Sequence, residues 1–205
     1  SLVDGIVRIK KLIGTLAEQG CPAVAITDQS NLFSMVKFYR ASISAGLKPI
    51  IGVDLWVQNP ADVNQPTRLV LLCQHREGYL NLTRLISRSY IEGQHNGIPM
   101  IQQQWLEGES EGLIALSGGR NGDVGLALLS DNQQEAEQLL GEWQRLFPDR
   151  FYLELQRTGR ENEEDYLHAA VALAVEQGVP VVATNDVCFL KQEDFDAHEV
   201  RVCIH

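Results

Sequence analysis

The chain has 205 residues, with 17 Lys and Arg against 27 Asp and Glu and a formal net charge of −10. The apolar share of 44% and the charged share of 21% are typical of one ordinary globular domain and exclude a disordered, collagen-like or disulfide-scaffold chain. The acidic balance argues against a surface that binds phosphate backbones by itself, because such surfaces need clustered Lys and Arg.

Several features of the sequence indicate the compartment. The four cysteines lie far apart without Cys-x-x-Cys spacing, which is typical of reduced intracellular thiols. No apolar run approaches the roughly 20 residues that span a bilayer, and the amino terminus lacks a secretory pattern. We therefore expect a cytoplasmic protein that does not bind a membrane. The sequence opens at Ser1 without an initiator Met and stops at His205 within a helical pattern, so we interpret it as a fragment of a longer chain.

Helix and strand patterns alternate along the sequence. Apolar residues three and four apart between positions 6 and 16 predict a first helix. This helix ends at Gly20, with Pro22 beyond it. Short apolar, β-branched runs predict six strands, and helical spacing predicts further helices between them. The predicted strands are 23–27, 49–57, 68–74, 112–117, 151–156 and 179–184; the predicted helices are 31–45, 78–90, 133–147, 161–177 and 194 to the end. Segment 94–105 has the weakest pattern and is interpreted as a loop.

This alternation predicts βαβ units and a parallel sheet, either open or closed into a barrel. Ligands of such sheets collect at the carboxyl ends of strands. Asp28 and Asp186 follow two of the predicted strands, Asp54 lies near the end of a third, and His75 follows a fourth. Convergent carboxylates are typical of a hard cation or a proton-transfer site. The alternative is that Asp28 and Asp186 cap the turns or helices that follow them.

A glycine-rich segment, 117–123, follows the fourth predicted strand. Its backbone N–H groups and Arg120 present a possible anion site, although the spacing is not that of a P-loop or a dinucleotide fingerprint. A purely structural tight turn explains the same residues.

Several stretches together resemble one known family. They are Ala-Ile-Thr-Asp at 25–28, Val-Lys-Phe-Tyr at 36–39, Gly-Leu-Lys-Pro-Ile-Ile-Gly at 46–52, Gly-Tyr-Leu-Asn-Leu at 78–82 and Ala-Thr-Asn-Asp-Val at 183–187. They resemble the amino-terminal PHP (polymerase and histidinol phosphatase) domain of bacterial replicative DNA polymerase III alpha subunits. The resemblance covers nearly the whole chain. It implies one PHP domain over 1–205 with a distorted seven-stranded (βα) TIM-like barrel, whose first strand is truncated here.

The resemblance also implies the positions of a metal site. Metal-binding members carry three ions on a His-x-His motif, an Asp-His pair, a Glu, a His, a Cys and an Asp-x-His element. The first motif would precede Ser1. Asp28 and Asp186 match the family's two Asp residues. The other positions depart from the pattern: Gln29 replaces the paired His, Asp54 the Glu, Arg68 the next His, Gly119 the Cys and Cys188 the last His.

These departures predict a vestigial site without catalytic residues, metal or other cofactor. A fixed positive charge at Arg68 repels a divalent cation and can instead neutralise Asp28, Asp54 or Asp186. The family then implies a non-catalytic scaffold that supports the polymerase body of the same chain and docks the proofreading exonuclease subunit, while other domains contact DNA.

Two alternatives stay open. One is an active phosphoesterase, either a 3′–5′ exonuclease or a pyrophosphatase, that holds Zn or Mn at Asp28, Asp54 and Asp186. The other is an inert barrel that binds anions at Arg68 and Arg120.

Overall fold

The structure is a computed structural model that describes residues 5–203, apart from the side chain of Arg201. The elements alternate much as the sequence predicts. The helices are α1 Ile9–Glu18, α2 Met35–Ser44, α3 Arg76–Ile91, α4 Asp123–Leu129, α5 Gln133–Leu146, α6 Glu163–Gln177 and α7 Phe195–Val202. The strands are β1 Ala23–Gln29, β2 Lys48–Val57, β3 Thr67–Cys73, β4 Gln94–His95, β5 Ile98–Ile101, β6 Leu113–Leu116, β7 Phe151–Leu155 and β8 Val181–Ala183. The predicted truncated first strand and the segment 1–4 lie outside the described residues.

The strands form one mixed sheet, so the predicted α/β class is confirmed but the purely parallel sheet is wrong. Their order is β4-β5-β2-β3-β6-β7-β8, and β1 pairs in parallel with β2. Strand β3 is antiparallel to both β2 and β6. The connection 58–66 explains this direction, because it is too short for the crossover that a parallel neighbour needs.

The predicted closed barrel is not formed by residues 5–203. Within that part of the chain, β1 pairs only with β2 and β8 only with β7. The segment before α1 contacts the segment after β8, where the Ile6 N–H donates to the Cys188 carbonyl at 2.9 Å. One backbone hydrogen bond does not make a strand pair, so the sheet stays open at this point.

The two faces of β2 and β3 have different environments because successive side chains alternate in direction. One face carries Val53, Leu55, Leu69 and Leu71, which are at most 1% exposed. Buried side chains of α3, α4, α5 and α6 pack against them and complete the main core. The opposite face of the same strands carries the polar residues of the candidate site.

The segment 94–105 is not the loop that its weak pattern predicts. Strands β4 and β5 form a hairpin in it, and residues Gln103–Glu107 form a 3-10 helix. The turn is Asn96-Gly97, with φ of 51° and 80°, which is the pair that a tight two-residue hairpin turn favours. This Asn-Gly pair was the available sequence signal. Among the described helices, none is both long and apolar enough to cross a bilayer.

Candidate functional site

The centre of the candidate site is an ion pair between β2 and β3. The carboxylate of Asp54 is 5% exposed and accepts a hydrogen bond from the Arg68 Nε at 3.1 Å. The Arg68 Nη2 forms the second contact, with the other carboxylate oxygen. The guanidinium also lies 5.9 Å from the ring centroid of Trp56. Arg68 therefore holds Asp54 in the two-pronged geometry that gives the strongest charge-assisted hydrogen bonds.

The direction of β3 produces this pair. Because β3 is antiparallel to β2, Arg68 at its beginning lies opposite Trp56, near the carboxyl end of β2. The same reversal places the end of β3 at the other edge of the sheet. There the Gln74 N–H donates to the Gly112 carbonyl at 2.9 Å, just before β6 begins. His75, which the sequence placed with the carboxylates, therefore lies at the opposite edge from Asp54.

The register of β1 separates Asp28 from Asp54. Gln29 pairs with Asp54, and Asp28 pairs with Val53. Paired residues share a face and successive residues alternate, so Gln29 lies on the face of Asp54 while Asp28 lies on the other. Asp28 does not cap α2, because Ser34 occupies the N-cap position of that helix.

Asp186 pairs with an arginine that sequence reasoning missed. The Arg160 Nη2 donates to its carboxylate at 2.8 Å, and the Cys188 Sγ lies 3.9 Å from the other oxygen. Arg160 stands 26 residues before Asp186 in the sequence, in the loop between β7 and α6. No local pattern marks it, because its partner is set by the path of the chain.

A buried carboxylate holds the loop that carries Arg160. Glu163 is 3% exposed and accepts hydrogen bonds from the Thr158 hydroxyl at 2.8 Å and from the Gly159 N–H at 2.7 Å. The Thr158 and Arg160 amides also donate to it. Burial raises the pKa of Glu163, but these donors outweigh it and keep the pKa below its usual value. Glu163 therefore acts as a positioning residue for Arg160.

We expect Glu163→Gln to lower the free energy of unfolding by about 2 kcal/mol at neutral pH, because the Gln amide group meets N–H donors that need an acceptor. The difference from the wild type should be complete above the ordinary pKa of a glutamate, about 4.3, and should shrink as the pH falls through the lower pKa of Glu163 in the folded state. Urea unfolding at several pH values measures both effects. Glu164→Gln, a change at an exposed neighbour that pairs with Arg157, is the control. An equal loss in the two variants would contradict this role of Glu163.

A second buried carboxylate lies near the end of β7. Glu154 is 4% exposed, and its Oε1 accepts from the Thr184 hydroxyl at 2.5 Å and from the Gln156 side chain at 3.3 Å. A Cβ at Gly119 would lie 3.8 Å from the Gln156 Oε1, so this position, at which the resemblance implies a ligand, faces the same polar cluster. Sequence reasoning did not select Glu154. The available signal was one acidic residue inside an otherwise apolar strand.

The glycine-rich segment forms a tight turn. Gly118 has φ of 75°, and a Cβ there would lie 2.3 Å from the Arg68 carbonyl oxygen, so the turn packs closely against the beginning of β3. The Arg120 Nη1 donates to the Glu161 carbonyl at 2.8 Å. The guanidinium proposed for anion binding is thus already bonded to the backbone.

The residues present do not fit a metal centre. Asp54 and Asp186 each face a guanidinium, and Gln29 and Gly119 supply neither an anion nor an imidazole. Over residues 5–203, no three His, Cys, Asp or Glu side chains lie close enough together to hold a metal ion. The site is better described as a set of carboxylates that arginines neutralise.

The sequence comparison assigns this architecture to a family. The family model of the PHP domain matches residues 1–158. The chain belongs to the PHP domain family. This PHP domain is 55% identical over 204 residues to the DNA polymerase III subunit alpha of Pseudomonas fluorescens and 50% identical over 205 residues to that of Escherichia coli K12. These matches cover 100% of the PHP chain but only 17% and 18% of the two relatives.

Two solved structures share the fold of this PHP domain. One is an amidohydrolase from Chromobacterium violaceum, solved with bound sulfate and no metal. It matches with a TM-score of 0.60 and 12% sequence identity, and the match covers 98% of this chain and 93% of the amidohydrolase chain. The other is a candidate metal-dependent phosphoesterase from Bifidobacterium adolescentis, with a TM-score of 0.57 and 11% sequence identity. This match covers 97% of this chain and 92% of the phosphoesterase chain. At this identity the likeness concerns the fold alone.

Proposed function

We propose that this PHP domain belongs to a bacterial replicative DNA polymerase III alpha subunit and serves DNA replication as a non-catalytic scaffold. In this role it supports the polymerase body of the same chain and docks the proofreading exonuclease subunit. The match of its whole length to part of these subunits supports the assignment to the polymerase. Other domains of the long chain would make the main contacts with DNA, in keeping with the acidic charge of this one.

The ion pair of Arg68 and Asp54 carries the non-catalytic part of this proposal. The positive charge of a guanidinium is fixed, so it cannot be removed to admit a cation. It engages both oxygens of Asp54 at a buried position, where Coulomb repulsion of a divalent ion is strong. Arg160 places a second positive charge at Asp186. These contacts disfavour the alternative of a metal-dependent phosphoesterase.

Metal content tests the proposal directly. We expect the whole polymerase chain, purified without chelator and soaked in zinc, to carry the same amount of zinc as its Asp54→Asn variant when measured by mass spectrometry. The comparison cancels ions that are held by other domains. A positive control restores four of the five ligands that depart from the family pattern, with Gln29→His, Asp54→Glu, Arg68→His and Cys188→His in one chain.

Two results would separate the alternatives. A wild-type chain that holds two or three more zinc ions than Asp54→Asn would overturn the vestigial site and make nuclease assays the next step. Equal metal content, together with added zinc in the restored variant, would show that the assay detects the site and that the native residues do not bind metal there.

A further inference from the structure

One exposed helix face of this domain combines apolar and basic side chains. It consists of the exposed side chains of α2 and of Phe33, two residues before the helix begins, and we call it the α2 face. Its apolar side chains are open to solvent, with exposed fractions of 73%, 53%, 49% and 55% for Phe33, Val36, Tyr39 and Ile43. Its charged side chains are Lys37 and Arg40, both exposed.

The opposite side of the same helix explains why this face stays exposed. Phe38 and Ser42 are fully buried, and Phe38 packs with Ile13 of α1 and with Leu47 in a small separate core. α2 is thus already fixed to the domain by one side. Residues three and four positions apart lie on one side of a helix, so Val36, Arg40 and Ile43 form a continuous stripe on the other. This stripe is not part of either buried core cluster.

The charge of the α2 face is opposite to that of the rest of the domain. Residues 1–50 contain six Lys or Arg and three Asp or Glu. Residues 51–205 contain eleven Lys or Arg and 24 Asp or Glu. Helix α2 itself contains no acidic residue. Throughout the described range, 5–203, Lys37 and Arg40 form no ion pair or side-chain hydrogen bond, while Arg88 and Arg157 each bond a nearby Glu.

This combination identifies the chemistry of a partner. Exposed apolar patches with a polar rim mark interaction sites on proteins. Aliphatic side chains such as Val36 and Ile43 add nothing to phosphate binding, which favours a polypeptide over a nucleic acid. Two cations without acidic partners complement Asp or Glu side chains, and the stripe fits the apolar side of an amphipathic segment. The expected occupant is therefore an acidic, amphipathic protein segment.

The size of the α2 face favours an occupant in the same chain. A stable complex between separate proteins buries about 800 Å² on each partner, which is more than four apolar side chains provide. A tethered segment binds at a high effective concentration and needs less contact area. The matched polymerase subunits extend far beyond this domain, which covers 17% and 18% of their length.

We propose that the α2 face docks an acidic, amphipathic segment from the remainder of the polymerase III alpha chain. The inference rests on the proposed function, because it needs the longer chain. It adds to that function a specific surface on the domain and the chemistry of the segment that covers it.

Site-specific photo-crosslinking in the whole alpha chain tests the α2 face. The variant Tyr39→p-benzoylphenylalanine places the crosslinker on the α2 face. The control variant Tyr90→p-benzoylphenylalanine places it on α3. The two tyrosines are similarly exposed, at 49% and 42%. We expect the first variant to give an intramolecular crosslink to an acidic, apolar segment beyond residue 205, mapped by mass spectrometry. Adding Lys37→Glu and Arg40→Glu should lower its yield several-fold, and high salt should lower it as well.

Any other pattern overturns the inference. A crosslink from position 39 to DNA, to a separate subunit or to a second alpha chain would assign the face to a different partner. A yield no higher than that from position 90 would leave the face without a partner. Primer extension and co-elution of the wild-type chain with the exonuclease subunit test the proposed function separately, so its failure is distinguishable from failure of this docking surface.

Discussion

Arg68→Ala is expected to lower the free energy of unfolding by about 3 kcal/mol, because it leaves Asp54 buried without a countercharge. Asp54 is 5% exposed, and Arg68 contacts both of its oxygens. The Arg68 side chain is itself 26% exposed, which favours the lower end of the range known for buried pairs. Urea unfolding at neutral pH, followed by circular dichroism, measures the loss.

Two controls separate burial from the loss of an arginine as such. Arg157→Ala removes an equally two-pronged contact, to Glu164, at an exposed position, and we expect a much smaller loss. The double variant Asp54→Leu with Arg68→Met removes both charges and should recover most of the stability that Arg68→Ala loses. If Arg68→Ala is no more harmful than Arg157→Ala, then Arg68 is not the countercharge of Asp54.

Trp143→Ala is expected to lower the free energy of unfolding by about 4 kcal/mol, because it leaves a large cavity between α5 and the sheet. Trp143 is 1% exposed, and its ring is nearly parallel to that of Phe151, with centroids 6.0 Å apart. Its indole N–H also donates to both oxygens of Asp123, at 3.0 and 2.9 Å. Urea unfolding measures the total loss.

Trp143→Phe separates the packing of this residue from its hydrogen bond. The variant keeps an aromatic ring and loses the N–H donor, so we expect a smaller loss than for Trp143→Ala. Burial raises the pKa of Asp123 to about 6, and the bond from Trp143 lowers it. The folded state therefore binds the proton of the Asp123 carboxyl more tightly than the unfolded chain does. The contribution of Asp123 to the free energy of unfolding thus grows as the pH falls from about 6 to about 4.

The loss of the indole donor should move this pH dependence to higher pH. Stability curves of the wild type and of Trp143→Phe, recorded between pH 4 and pH 8, test the shift. Equal losses in the Ala and Phe variants, with no shift, would mean that neither ring packing nor the contact with Asp123 explains the role of Trp143.

Most helices and strands could be predicted from the sequence. The run 68–74 became β3 almost unchanged, and the helical stripe that closes at Gly178 became α6. Apolar spacing and turn residues act over a few neighbours, so they can be recognised in a linear sequence. The hairpin of β4 and β5 was missed although its Asn-Gly turn was visible, because its strands are too short to show a period.

The candidate site could be predicted only in part. The resemblance selected Asp54, Arg68 and Asp186, and all three form ion pairs in the structure. The particular partners were not predictable, since Arg68 had three possible carboxylates and Arg160 was not selected at all. Asp28 was expected beside Asp54, and the register of β1 places it on the other face of the sheet.

Local sequence patterns were sufficient to predict the α/β class and the positions of most elements, and the resemblance predicted which residues occupy the ligand positions. How these residues meet depends on the tertiary structure. The direction of β3 brings Arg68 to Asp54 across 14 residues, and the loop held by Glu163 brings Arg160 to Asp186 across 26. Local propensities do not encode strand direction, register or the path of a loop, because these depend on contacts between distant parts of the chain.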